Sequence, residues 1–111
     1  WDCFKSSTEY PKDKRTLTEW FTQSIDDLPT VISTGGIWST KDAEAVMSQG
    51  ADLIGVGRVA IPYPEWAANL NIKDYSPQKM PFSSEDLRKA DLSKVFINYM
   101  KNWRGFVKDE K

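Results

Sequence analysis

The chain has 111 residues, 15 basic against 16 acidic side chains, a net charge of −1, 40% apolar residues, one cysteine and no histidine. That length holds one small domain rather than two, and five Trp, five Phe and four Tyr supply a core, which excludes wholesale disorder. The charge balance offers nothing to a nucleic-acid backbone or an anionic membrane, no apolar run spans a bilayer, and without histidine the chain holds neither a His-zinc site nor a His-based triad.

Cys3 has no partner for an internal disulfide, and the N-terminus lacks a charged-then-apolar leader pattern, so a cytoplasmic protein is expected. The opening Trp1-Asp2-Cys3-Phe4 carries no helix-start chemistry and reads as the middle of a longer chain.

In chain order, residues 1–13 read as an ordered loop. From Lys14 to Ile25, Leu17, Trp20, Phe21 and Ile25 recur at spacings of three and four and mark one apolar helical face, which ends at Asp26-Asp27. Pro29-Thr30-Val31-Ile32-Ser33 is a β-branched run bounded by Pro and two glycines, and predicts a strand buried on both faces. Ser39 is placed to cap the next helix, with Asp42 favouring the same end through the helix dipole. Ala43, Val46 and Met47 form its stripe, and Gly50 is the left-handed residue that ends it. Asp52-Leu53-Ile54-Gly55-Val56 predicts a second buried strand, stopped by Gly57-Arg58.

Strand, glycine turn, helix and strand within about 30 residues make a βαβ unit with parallel strands. A short amphipathic helix is expected at Glu65–Leu70, a Pro-containing loop over 71–82, and one helix over roughly 84–103 with Leu92, Val95, Phe96, Tyr99 and Trp103 on its apolar side. The tail Lys108-Asp109-Glu110-Lys111 is expected to fray. Two parallel strands alone leave two open edges. Further strands are therefore expected from sequence outside this chain or, alternatively, from a second copy of it.

Both glycine turns follow the C-terminal ends of parallel strands, the side on which α/β barrels bind ligands. Gly35-Gly36 lets the backbone approach a ligand and present N–H groups, and the helix opening at Ser39-Thr40 adds its positive end. Gly57 offers a second close approach, and Arg58 a fixed cation with paired donors. A lone Gly-Gly is usually only a tight turn, and a lone Arg usually a surface ion-pair partner. Two such turns after two apolar strands point instead to a phosphate monoester.

At Val31-Ile32-Ser33-Thr34-Gly35-Gly36-Ile37, Asp42-Ala43-Glu44, Gly50 through Arg58, and Pro64-Glu65-Trp66, the chain resembles the old yellow enzyme family, FMN-binding oxidoreductases that use NADH or NADPH. The resemblance implies an α/β fold that is the C-terminal portion, the last two strands and flanking helices, of a (β/α)8 TIM barrel. On that pattern 1–28 is the sixth-strand loop and helix, 29–70 the last two β/α units with the phosphate site, and 71–111 the C-terminal loop and helix. In the family the first-turn glycines and the Gly-Arg pair hold the FMN phosphate, which implies that role for Gly35, Gly36, Gly57 and Arg58; Ser33, at the end of the first strand, is taken with them as cofactor-binding. The resemblance further implies reduction of activated C=C bonds in a small-molecule substrate, and a homo-oligomer. The family's substrate-anchoring His pair or His/Asn pair and its Tyr proton donor lie in earlier strands, so this segment alone should be inactive.

Trp103-Arg104-Gly105-Phe106 is similar to a C-terminal pattern by which some bacterial members reach a neighbouring active site. The simpler reading makes Gly105 a helix cap with Arg104 on the dipole. Cys3 is read as a small buried hydrophobe, Tyr63 as a loop-packing residue, Trp66 as a plug of the helical layer, and Trp38 as either a cover for the flavin edge or a packing residue. Two other functions compete: a phosphate-binding barrel whose phosphate belongs to the substrate, and a non-enzymatic fragment that completes its sheet by self-association.

Overall fold

Capping chemistry decides where the helices begin. Thr16 accepts from the Glu19 amide while the Glu19 side chain accepts from the Thr16 amide, and this box opens α1, Leu17–Ser24. Ser39 and Asp42 make the same reciprocal pair ahead of α2, Thr40–Ser48. The structure, a computed structural model, describes residues 1–108; Asp109, Glu110 and Lys111, where fraying was expected, lie outside the described residues.

Between these helices runs β1, Ile32–Thr34, and after α2 comes β2, Leu53–Gly55. They pair in parallel, Ile32 with Leu53, Ser33 with Ile54 and Thr34 with Gly55, so the expected βαβ unit forms. Gly50 ends α2 at φ +99, and a side chain there would also strike Thr22 on α1. A single 3-10 turn, Arg58–Ala60, follows β2, and then α3, Trp66–Asn69. Among the described residues no helix is long and apolar enough to cross a membrane.

The expected single C-terminal helix is two: α4, Ser84–Lys89, and α5, Lys94–Met100. Asp91 adopts φ +63, with its amide bonded to the Arg88 carbonyl and the Leu92 amide to the Leu87 carbonyl, the paired bonds of a Schellman stop. Ser93 then caps α5 by accepting from the Phe96 amide. The register of α5 also differs from expectation. Ile97 and Met100 are buried, whereas Val95 is 80% exposed and Tyr99 and Trp103 stay largely outside. Gly105 does not cap this helix: it sits beyond the C-cap Lys101, in a following turn at φ +80.

That turn sends Phe106 and Val107 back into the molecule. The Phe82 amide bonds the Phe106 carbonyl and the Lys108 amide bonds the Phe82 carbonyl, both at 2.8 Å. Phe82 is the centre of the core, stacked on Trp38 at 6.2 Å, edge-on to Tyr63 at 5.9 Å and against Phe106 at 5.5 Å. Trp66 fills the helical layer as expected and donates its indole N–H to the Trp38 carbonyl.

The other side is uncovered. In β1 and β2, Ser33 and Ile54 face the packed layer, and the alternation of a strand puts Ile32 and Leu53 on the opposite face. Ile32 is 63% and Leu53 54% exposed, so the expectation of strands buried on both faces is not met. Two strands with helices on one side supply no layer for the second face among the described residues. On α1, Leu17, Phe21 and Ile25 are exposed and only Thr18 is buried, while Trp20 is half-buried between Tyr10 and the Arg15 guanidinium; the apolar stripe forms but is covered only in part among the described residues.

Candidate functional site

The two glycine turns meet. Thr34, Gly35, Gly36 and Ile37 after β1, and Gly55, Val56, Gly57 and Arg58 after β2, line one cleft of about 260 Å³, with Trp1 at its side. Parallel pairing explains the meeting: Thr34 lies beside Gly55, so the chain leaves both strands at one end and in one direction. A side chain at Gly55 would collide with the Thr34 hydroxyl, which keeps the two strand ends close.

Gly35 and Gly36 have different reasons to be glycine. Both have positive φ, +129 and +79. At Gly35 a Cβ would also lie 2.8 Å from the Trp1 carbonyl carbon, and the Gly35 carbonyl accepts from the Cys3 amide at 3.0 Å. The first turn is thus pinned to the N-terminal segment. Gly57 has neither constraint. Its φ is −126 and nothing lies within 4 Å of where a Cβ would stand. Its bareness keeps the cleft wall open.

Among the described residues the amides of Gly36, Ile37 and Gly57 have no hydrogen-bond acceptor. Arg58 is exposed at the cleft and has no carboxylate partner among the described residues. The Asp2 carboxylate lies beside Gly36, accepts from the Phe4 amide and is 4.0 Å from the exposed Lys5 amine. Backbone donors from two turns with one guanidinium form a concave, positively polarised site of the kind that holds a phosphate dianion.

Ser33 does not join them through its side chain. Its hydroxyl is buried 2.6 Å from Thr18 Oγ1 and 3.2 Å from Cys3 Sγ, turned into the layer beneath the sheet. A residue one position before Thr34 must point to the opposite face, so this hydroxyl ties α1 and the N-terminal segment to β1. Cys3 is fully buried there, as a small hydrophobe would be. Trp38 packs in the core against Phe82 and also lines the cleft. Tyr63 donates its hydroxyl to the Gln78 carbonyl at 2.8 Å, and burial pushes its phenol above the ordinary value of 10.0, so it holds its proton for a structural bond.

Sequence pattern alone did not find Trp1 in the cleft wall, nor a second cavity of about 500 Å³ that shares Gly57 and Arg58 with the first and is lined also by Tyr99, Trp103 and Arg104. Trp1 is seated by the contacts of Cys3, whose amide bonds the Gly35 carbonyl, whose carbonyl accepts from Gln49 and whose sulfur meets the Ser33 hydroxyl, and Arg104 arrives through the turn after α5. Neither contact leaves a periodic signal.

Part of the chain is similar to short segments of two known proteins. It is 48% identical over 40 residues to an NADH:fumarate oxidoreductase of Klebsiella pneumoniae (strain 342), a stretch covering 36% of this chain and 4% of that protein. It is 34% identical over 67 residues to an NADH:acrylate oxidoreductase of Vibrio harveyi, covering 57% of this chain and 7% of that protein. The matched segment is therefore less than a tenth of either relative's length. No protein-family model matches the chain. No solved structure matches it.

Proposed function

We propose that this chain supplies the FMN phosphate site of an NAD(P)H-dependent oxidoreductase that reduces activated C=C bonds, as the last two strands and flanking helices of a (β/α)8 barrel. The observation that carries the reading is the convergence of Gly35-Gly36 and Gly57-Arg58 on one cleft at the C-terminal ends of two parallel strands. The residues fit a phosphate monoester: amides without acceptors, a wall without a Cβ at Gly57, and an unpaired guanidinium at Arg58 among the described residues. The bare inner face at Ile32 and Leu53 and the open edge of each strand are what additional barrel strands would cover.

In this reading Gly36, Ile37 and Gly57 donate backbone hydrogen bonds to phosphate oxygens, and Arg58 adds a charge-assisted pair. Bound FMN supplies a two-electron carrier between reduced nicotinamide and substrate carbon. The chain's own part is to hold and orient that carrier; the groups that meet the substrate come from elsewhere in the protein. The names of the two partial relatives, reductases of fumarate and of acrylate that use NADH, support both the hydride donor and an α,β-unsaturated acid as substrate class.

The test uses the full-length protein that contains this chain. It should purify with flavin absorbance, bleach under anaerobic NADH and regain colour when an α,β-unsaturated carboxylate is added. A colourless protein that binds sugar phosphates at this cleft would replace the flavin reading with a barrel whose phosphate belongs to its substrate.

A further inference from the structure

The second cavity has a composition that the phosphate cleft does not explain. It holds about 500 Å³, within the range of small-molecule sites, and shares Gly57 and Arg58 with the cleft. Arg104 lines it as well, and neither arginine has a carboxylate within 4.0 Å among the described residues. None of its lining residues is acidic.

Its aromatic wall follows from the register of α5. Because Ile97 and Met100 face the core, Tyr99 and Trp103 are left at the surface, in edge contact at 4.7 Å and 61°. Exposed aromatic faces beside two guanidinium groups attract a ligand that is both planar and anionic. Met80 and Met100 line the same space with adaptable apolar side chains. A nicotinamide ring alone gives two arginines nothing to bind, whereas a purine joined to a phosphate satisfies both kinds of wall.

We propose that this cavity holds the adenosine-phosphate end of the nicotinamide donor, with the purine against Tyr99 and Trp103 and phosphate oxygens on Arg104. The assignment to the hydride donor rests on the oxidoreductase reading above. Arg58, shared by the two cavities, then faces both the flavin phosphate and the donor's phosphate, which sets the two cofactors side by side.

The probe is ADP-ribose, which carries the adenosine diphosphate without the nicotinamide, titrated calorimetrically into the full-length, FMN-loaded protein. We expect one site that fills without releasing FMN. Arg104→Ala should weaken it at least tenfold, and Trp103→Ala should weaken it while Trp103→Phe restores most of the affinity. All three variants should keep their FMN, and Arg104→Ala should raise KM for NADH with kcat unchanged at saturation. Absence of binding, affinity indifferent to Arg104, or displacement of FMN by ADP-ribose would each overturn the proposal, the last by making the cavity an extension of the flavin site. A flavin-free wild-type protein whose ADP-ribose affinity still depends on Arg104 would overturn the flavin reading and leave the cavity's ligand class standing.

Discussion

The two faces of the β1–β2 pair lead different lives. On one, Ser33 and Ile54 look into a layer built by α1 and α2, continuous with the aromatic core around Phe82. On the other, Ile32 and Leu53, both large apolar residues, face outward, and Phe21 of α1 lies with Ile32 along an open apolar groove beside the β1 edge. Burying one such side chain is worth about 1.5–3 kcal/mol, so leaving several bare is a substantial forgone stabilisation. The β1–β2 pair thus carries apolar side chains on both faces, and the described residues cover only one of them.

Core truncation gives the largest difference between the faces. Phe106→Ala, on the covered side, should cost about 3–5 kcal/mol in chemical denaturation. Ile32→Ala should stay within about 0.5 kcal/mol in the 111-residue chain, yet cost about 2–5 kcal/mol in the full-length protein if further strands close over it. An equal, small cost for Ile32→Ala in both contexts would break the comparison, because nothing would then cover that face.

A smaller effect sharpens the covered side alone. Ser39→Ala removes the acceptor for the Asp42 amide at the start of α2 and should lower stability by about 1 kcal/mol, seen as a lower denaturation midpoint with unchanged slope.

The smallest is a pH effect at α4. The Ser83 hydroxyl, 2.7 Å from Asp86 Oδ2, holds that carboxyl below its ordinary value of 3.8. A lowered folded pKa contributes stability above 3.8 that is lost as the pH falls through the folded value. Asp86→Asn should therefore lower stability slightly at neutral pH, change nothing well below the folded pKa, and so flatten the acid limb of the stability profile; an unaltered acid limb would show that the hydrogen bond carries no weight.

Much of the βαβ unit was legible because its signals are local. Ser39, Asp42 and Gly50 lie at fixed offsets from the helix they bound, and the β-branched runs flank the glycines. The C-terminal half was less legible. A single helix with a stripe from Leu92 to Trp103 was the natural reading, but an aspartate at Asp91 takes the left-handed position usually given to glycine, and Ser93 restarts the helix in another register. Periodicity identified an apolar stripe on α1 and on α5 without saying what covers it, since that depends on tertiary partners. In the candidate site, the meeting of the two turns followed from parallel topology. The inward turn of the Ser33 hydroxyl follows from strand alternation once Thr34 is placed at the cleft, and it removes that side chain from the set. The contribution of Trp1 has no sequence signal, because the contacts that seat its neighbour Cys3, on Gly35, Ser33 and Gln49, are all long-range.

Arg58→Ala is the most direct probe of whether the cleft between the turns holds a flavin phosphate. Measured as the FMN dissociation constant of the full-length protein, with Gly57→Ala alongside as a change that meets no atom within the fold, Arg58→Ala should weaken binding by about 1.5–3 kcal/mol, and Gly57→Ala should weaken it without altering the thermal midpoint. An FMN affinity indifferent to both substitutions would contradict a flavin phosphate there.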